Sequence, residues 1–234
     1  MSGINNGKAV AIIIAAGVGK RMCSDQTKQT MLLCGRTVIF RTVASFYESS
    51  EIDSMVIVGR EVELDFLRVE LAPFADKIHA IVAGGDTRAQ SAKIGFENIP
   101  ENTGIVAIHD GARCLITQRV IKSVIEKARE TSAAFAASPV YDTVKLVDKD
   151  GAVVETPKRE ALLRAETPQA FSVEVYSRAL AAADGLSVTD DNMLVENIGV
   201  KVYAVICEDD NFKITTRTDL RLAEIILEER GEYV

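Results

Sequence analysis

Residues 9–29 read AVAIIIAAGVGKRMCSDQTKQ. An apolar run from Ala9 to Ala16 meets Gly17 and Gly19, and three cations follow: Lys20, Arg21 and Lys28. The run is continuous, β-branched and ended by glycine, which predicts a strand buried on both faces. Glycines let the next turn bend sharply and expose its N–H groups, and cations beside exposed amides make a site for polyphosphate. The stretch lacks GxxxxGK[ST] and GxGxxG, so it carries neither a P-loop nor a dinucleotide fingerprint. It predicts an α/β protein that grips a nucleotide triphosphate at its first strand end.

Outward from this stretch, strands and helices alternate. Residues 38–47 place apolar side chains at helical spacing, 54–59 form a second strand, and 61–71 a helix. A third strand over 77–82 runs into GGDTRAQS, whose Asp86 is expected to cap a helix over 87–98. A fourth strand over 105–108 ends in HDGAR at 109–113, and Thr117 is expected to cap a helix reaching Glu130. Residues 134–140 make a fifth strand. This order predicts a mostly parallel sheet with helices on both faces. Three polar clusters, 17–28, 84–91 and 109–113, each follow an apolar strand. Ligands of open α/β sheets bind at the carboxyl ends of strands, so the clusters predict one shared site.

The rhythm changes at 142–165, where two short strands flank Asp150-Gly151, a good hairpin turn. The segment predicts a protruding β-arm whose apolar residues, Val144 and Leu146 against Val153 and Val154, need a cover such as a partner subunit. Thr167-Pro168-Gln169 returns the chain to the body. Ser172 is expected to cap a helix to residue 183, Thr189 a second helix, and residues 200–206 form a strand before a closing amphipathic helix over 219–229.

The 234 residues fit one domain, and 47% hydrophobic residues supply a sizeable core. A formal charge of −7 disfavours broad nucleic-acid or anionic-membrane binding but permits an anionic small substrate in a cationic cleft. The four cysteines form no CxxC pair, and two histidines do not suit histidine-rich metal chemistry. There is neither a signal-peptide pattern nor an apolar segment of transmembrane length, which reads as a cytoplasmic protein.

A reacting triphosphate needs its charge neutralised at the reacting and leaving phosphates, and Arg21, Lys28 and Lys213 are the candidate catalytic cations. Asp110, a carboxylate at a strand end, suits Mg2+ held through phosphates and waters, or else a turn cap. His109 reads as structural. No strong general base is visible, which a phosphate-oxygen nucleophile does not require. Gly84, Gly85, Asp86, Arg88 and Ser91 form a second polar wall able to read a small base. Lys145 and Arg159 on the arm can bind a monophosphate. Asp190 and Asp191 fit either a helix N-terminus or ligand contact.

The pieces AAGVGKRM (15–22), KQ (28–29), GGDTRAQS (84–91), HDGAR (109–113), DTVK (142–145), ETPQAF (166–171), TDDNMLVE (189–196) and NFKITT (211–216) occur in one order. Together they resemble the 2-C-methyl-D-erythritol 4-phosphate cytidylyltransferase family over roughly residues 8–232. The resemblance implies a Rossmann-like nucleotidyltransferase fold whose β-arm is exchanged across a homodimer. It implies CTP and a small polyol phosphate as substrates and Mg2+ as cofactor. By that resemblance Ala16, Gly17, Gly19, Gly85, Asp86, Ser91, Asp110 and Ala112 serve the nucleotide. Arg113, Thr143, Lys145, Arg159 and Thr167 serve the polyol phosphate, partly from the partner's arm. The alternatives are a ribitol-5-phosphate cytidylyltransferase and a non-catalytic nucleotide-binding or interaction protein. The chain departs from the family's pattern at Thr27, Thr37, Cys114 and Arg217, where proline is usual, and at Leu163 and Glu166, in place of tryptophan and glutamine. Loss of proline is expected to loosen loops and helix starts.

Overall fold

The computed structural model of the chain describes residues 7–17, 27–183, 188–207 and 210–232. Gly19, Lys20 and Arg21, and with them one of the expected catalytic cations, lie outside the described residues.

The apolar run forms β1, Lys8–Ile14. It pairs in parallel with β4 (Ser54–Gly59) on one side and β6 (Thr103–Asp110) on the other. β5 (Ile78–Ala83) extends the sheet beyond β4. Because strand side chains alternate, β1 feeds two cores. Ala9, Ala11 and Ile13 pack with α1 (Val38–Glu48), α2 (Leu64–Glu70) and α4 (Gln118–Thr131). Val10, Ile12 and Ile14 pack with α3 (Arg88–Glu97), α5 (Val173–Ala181) and α6 (Asp191–Asn197). Each fully buried isoleucine contributes about 1.5–3 kcal/mol of apolar transfer, and Ile12 and Ile13 are both at 0% exposure.

The complete seven-stranded order is β11-β7-β10-β6-β1-β4-β5, with β7 at Ala133–Pro139, β10 at Leu163–Ser172 and β11 at Tyr203–Ile206. β10 inserts antiparallel between β6 and β7; the other pairings are parallel. That insertion carries Thr167 to the carboxyl end of β6. Two-residue strands β2 (Leu32–Leu33) and β3 (Arg36–Thr37) pair in a small hairpin, and β8 (Leu146–Val147) pairs with β9 (Val153–Glu155) around Asp150-Gly151. α7, Arg217–Glu229, packs Ala223, Ile226 and Leu227 on Leu33, Cys114 and Ile214.

Several local expectations shift. Asp86 does not cap α3; Thr87 does, accepting from Gln90 N while the Gln90 side chain accepts from Thr87 N. Asp190 rather than Thr189 caps α6. In both places two cap-competent residues are adjacent, and the one whose backbone is extended immediately before the first helical residue takes the role. β6 runs two residues further than its apolar stretch, so His109 and Asp110 are strand residues. Three of the four positions lacking proline are held by side chains instead, Cys114 being the exception. Thr37 caps α1 and donates to Glu70 Oε1 at 2.7 Å, and Thr27 donates to Glu63 Oε1 at 2.8 Å. Arg217 opens α7 behind a reciprocal cap between Thr216 and Asp219.

Candidate functional site

Parallel register brings the strand ends level: Ile14 stands opposite Asp110 and Val58, and Gly59 opposite Ala83. Backbone bonds continue the sheet one step beyond, from Ala15 N to Val58 O, Gly84 N to Gly59 O and Gly111 N to Ile14 O. A side chain at Gly84 would put a Cβ 2.6 Å from both Ala16 Cβ and Ser91 Oγ, so glycine there lets the first loop meet α3.

A cleft of about 540 Å3 opens across these ends. Ala16, Gly17 and Lys28 line it from the first loop, Gly85, Asp86 and Ser91 from the second, and Asp110, Ala112 and Lys213 from the third side. Every described residue expected to serve a nucleotide therefore lines one cavity. Gln29 and Arg88 line it too, and the Gln29 Oε1 is buried there without a hydrogen-bond partner. A second cavity, about 440 Å3, is lined by Arg113, Glu166, Thr167, Gln169 and Asp190 and shares Arg88, Asp110 and Lys213 with the first. Thr143, Lys145 and Arg159 line neither. On the hairpin, Lys145 Nζ donates to Thr156 Oγ1 at 2.9 Å, and from the turn after it Arg159 Nη1 donates to Tyr141 O at 3.0 Å.

Asp110 is the centre of charge. Its Oδ2 lies 2.9 Å from Lys213 Nζ and 3.5 Å from Arg113 Nε, and its Oδ1 is 3.1 Å from Arg88 Nε. Burial alone would raise its pKa; Lys213, then Arg88 and Arg113, outweigh burial and hold the carboxyl well below the usual carboxylate range. Both oxygens are thus engaged by cations. Among the described residues no group of three or more His, Cys, Asp or Glu could hold a metal ion.

Arg88 reaches onward: its Nη1 donates to Asp191 Oδ2 at 2.5 Å. Asp191 also accepts from the Tyr176 hydroxyl at 2.6 Å, and its backbone N–H donates to Gln169 Oε1 at 3.0 Å. Burial first, then the Asp191 charge, push the Tyr176 phenol up, so it remains a donor. Neither the Arg88–Asp191 pair nor Tyr176 was visible from local pattern, because Asp191 lies 103 residues from its partner.

His109 is fully buried, its ring 4.8 Å from that of Phe46. Its Nε2 faces Arg113 O at 3.1 Å, and a carbonyl only accepts, so Nε2 carries the proton. Nδ1 then accepts from Thr167 Oγ1 at 3.0 Å, and Thr167 Oγ1 accepts from Asp110 N at 3.1 Å. The Thr167 hydroxyl is thereby engaged on both sides within the chain. Arg113 Nη1 donates to Asn211 O, and Asn211 Nδ2 donates to Thr167 O, both at 2.8 Å. Burial, reinforced by the nearby Arg113 and Arg88 charges against the pull of Asp110, pushes the His109 pKa down to about 3. The unfolded ring protonates near pH 6.5, so between about pH 6.5 and 3 the unfolded chain binds more protons and stability falls with acidification. From pH 7 to 5.5 this residue should cost about 1 kcal/mol of unfolding free energy. Urea titrations should show a shallower acid loss for His109→Gln than for the parent; equal losses would contradict the assignment.

Glu166 stands on the wall of the second cavity. It accepts from Ser138 Oγ at 2.7 Å through Oε1, while Oε2 is buried without a hydrogen bond, 4.0 Å from Arg113 Nη1.

The profile of one protein family, described as IspD: 2-C-methyl-D-erythritol 4-phosphate cytidylyltransferase, matches residues 9–229. The chain is 43% identical over 222 residues to the 2-C-methyl-D-erythritol 4-phosphate cytidylyltransferase of Symbiobacterium thermophilum, covering 94% of this chain and 93% of that one. It is 41% identical to the protein of that name from Lachnospira eligens, covering 93% and 98%. A crystal structure of 4-diphosphocytidyl-2C-methyl-D-erythritol synthase from Anaerococcus prevotii superposes with a TM-score of 0.86 at 31% identity, covering 96% of this chain and 98% of that one. The cytidylyltransferase structure from Francisella tularensis gives 0.78 at 29% identity, covering 93% and 99%.

Proposed function

Because the chain belongs to the 2-C-methyl-D-erythritol 4-phosphate cytidylyltransferase family, it transfers a cytidylyl group from CTP to 2-C-methyl-D-erythritol 4-phosphate, and we propose how its residues divide that work. The products are 4-diphosphocytidyl-2-C-methyl-D-erythritol and pyrophosphate, on the non-mevalonate route to isoprenoids. The observation carrying the assignment of roles is the pair Asp110–Lys213 on the wall common to both cavities.

CTP occupies the first cleft. Gly85, Asp86 and Ser91 read the base beside Ala16 and Gly17, and Ala112 backs the ribose. The polyol phosphate occupies the second cavity against Arg113, with Thr167 lending shape rather than a free hydroxyl. Its phosphate oxygen attacks the α-phosphorus of CTP; the new P–O bond forms as the bond to the bridging oxygen of the β-phosphate breaks, and pyrophosphate leaves. The nucleophile is already an oxyanion, so positioning and charge stabilisation supply the acceleration. Lys213 stands where the two substrates meet, Lys28 faces the triphosphate from the first loop, and Arg21 joins them by family pattern. Magnesium arriving with CTP supplies further charge neutralisation on phosphate oxygens. Asp110 is the carboxylate that would hold it, through water and not directly, because both its oxygens are engaged by Arg88, Arg113 and Lys213.

The hairpin supports a homodimer. Val147, Val153 and Val154 are half or more exposed on the single chain, as is Tyr141 at its base, and such a patch asks for a cover. The partner's hairpin then brings Thr143, Lys145 and Arg159 to the polyol side. No helix among the described residues is long and apolar enough to cross a membrane, and we place the reaction in the cytoplasm.

One experiment addresses these roles: pyrophosphate release across four nucleoside triphosphates and two polyol phosphates, methylerythritol and ribitol, for the parent and for a chain lacking residues 145–158. The parent should respond only to CTP with methylerythritol 4-phosphate and sediment as a dimer. The shortened chain should sediment as a monomer with turnover reduced at least tenfold. A fully active monomeric parent would sink the arm assignment.

A further inference from the structure

Arg88 lines both cavities; its Nε and Nη1 are committed to carboxylates, while its Nη2 is buried without a hydrogen-bond partner. One end of its guanidinium donates to Asp110 and the other to Asp191, so two carboxylates already answer its single charge. Asp191 is buried and fixed from three directions: Arg88, the Tyr176 hydroxyl and the Gln169 amide. Tyr176 is itself clamped, stacked on Phe171 at 5.3 Å and edge-on to Phe96 at 5.1 Å. The chain Tyr176–Asp191–Arg88–Asp110 therefore ties α5, α6 and α3 to the end of β6.

Its neighbours differ in what they do when phosphate arrives. Lys213 and Arg113 also hold Asp110, but each borders the cavity assigned to the polyol phosphate and has an anion to turn to. Arg88 borders the same cavity, but turning to that anion would cost it one of the two carboxylates it already holds. It is the one of the three that also hydrogen-bonds a second carboxylate, Asp191, beside Asp110. A buried ion pair of this kind contributes little net stability, because desolvation offsets attraction. Its position between the two substrate cavities gives it another use.

We infer that Arg88 is a positioning residue for the transfer step, a brace anchored on Asp191 and Tyr176 that fixes Asp110, and through it Lys213, between the two substrates. The inference rests on the cytidylyl-transfer reading of the site. A misplacement of about 1 Å can lower turnover by roughly 100-fold.

The test measures steady-state pyrophosphate release from CTP and methylerythritol 4-phosphate for Arg88→Lys, Asp191→Asn and the double variant. Lysine keeps the charge and can hold only one carboxylate. Each single variant should lower kcat 10- to 100-fold with KM for CTP within threefold of the parent. The double variant should be no more than threefold worse than the poorer single, because both break one brace. Tyr176→Phe removes only the hydroxyl and offers a milder break: kcat about threefold down in the parent, unchanged in the Asp191→Asn background. That pair decides the matter if Arg88→Lys does not fold. A tenfold rise in KM for CTP at constant kcat would make Arg88 a direct phosphate ligand and overturn the inference. So would multiplicative losses in the double variant, or single variants within twofold of the parent. An inactive parent overturns the transfer reading and the brace with it; an active parent with unimpaired variants overturns the brace alone.

Discussion

Asp110→Asn should lose about 3–5 kcal/mol of unfolding free energy, the range expected when one partner is removed from a buried ionic cluster. Asp110 is 6% exposed, and three cations converge on its two oxygens. Asparagine keeps the shape but removes the charge, and its amide N–H2 must point at one of the donors. Lys213, Arg88 and Arg113 then face one another across a site that no longer compensates them. Urea unfolding at neutral pH measures the loss directly. Sulfate should restore more stability to the variant than to the parent, since an oxyanion can replace the missing charge. A loss below about 1 kcal/mol would mean that solvent already screens the three cations.

Lys213→Met should behave in the opposite manner, with a large effect on turnover and a small one on stability. The side chain is 34% exposed, so its pair with Asp110 is partly screened, and Arg88 and Arg113 still hold that carboxylate. Its ammonium borders both cavities, and in the proposed division of roles charge moves there from the attacking phosphate to the leaving pyrophosphate. Removing one preorganised donor from such a position lowers kcat roughly 100- to 1,000-fold. Methionine keeps most of the stem's packing, so the deficit reports the charge. Single-turnover measurements with saturating CTP separate this from product release. A variant within fivefold of the parent would remove Lys213 from the catalytic set.

Much of this site could be read along the chain because a parallel sheet delivers its strand ends to one edge. Gly17, Asp86 and Ala112 are far apart in sequence, yet each follows a buried strand, and that common position is what unites them. Periodicity likewise located β1, α1, α4 and α7. What escaped was information carried by pairs. Arg88 with Asp191, and His109 with Thr167, are matched across 103 and 58 residues, and no local spacing announces such partners. β10 as a strand was equally hidden, since LRAETPQAFS breaks its apolar residues with Arg164, Glu166 and Pro168. Cap assignment slipped by one residue wherever two competent caps stood together. The threonines in place of proline illustrate a further limit: loss of a rigid ring is visible in sequence, but the hydroxyl bonds from Thr27 to Glu63 and from Thr37 to Glu70 are not.

The segment carrying Lys213 has no regular secondary structure, yet its backbone is pinned at both ends. Ile214 N donates to Ala112 O, Asn211 grips Thr167 O, and Thr215 and Thr216 are gathered on the Asp219 carboxylate at 2.7–2.8 Å. Lys213 is thus a flexible tether on a stationary post. Its ammonium can sweep an arc set by its own methylene chain, from Asp110 to a phosphate oxygen and back, with its own backbone held in place. A cycle of this kind needs only rotamer changes at that residue, so its motion belongs to the picosecond-to-nanosecond range of side chains and not to the slower range of lids.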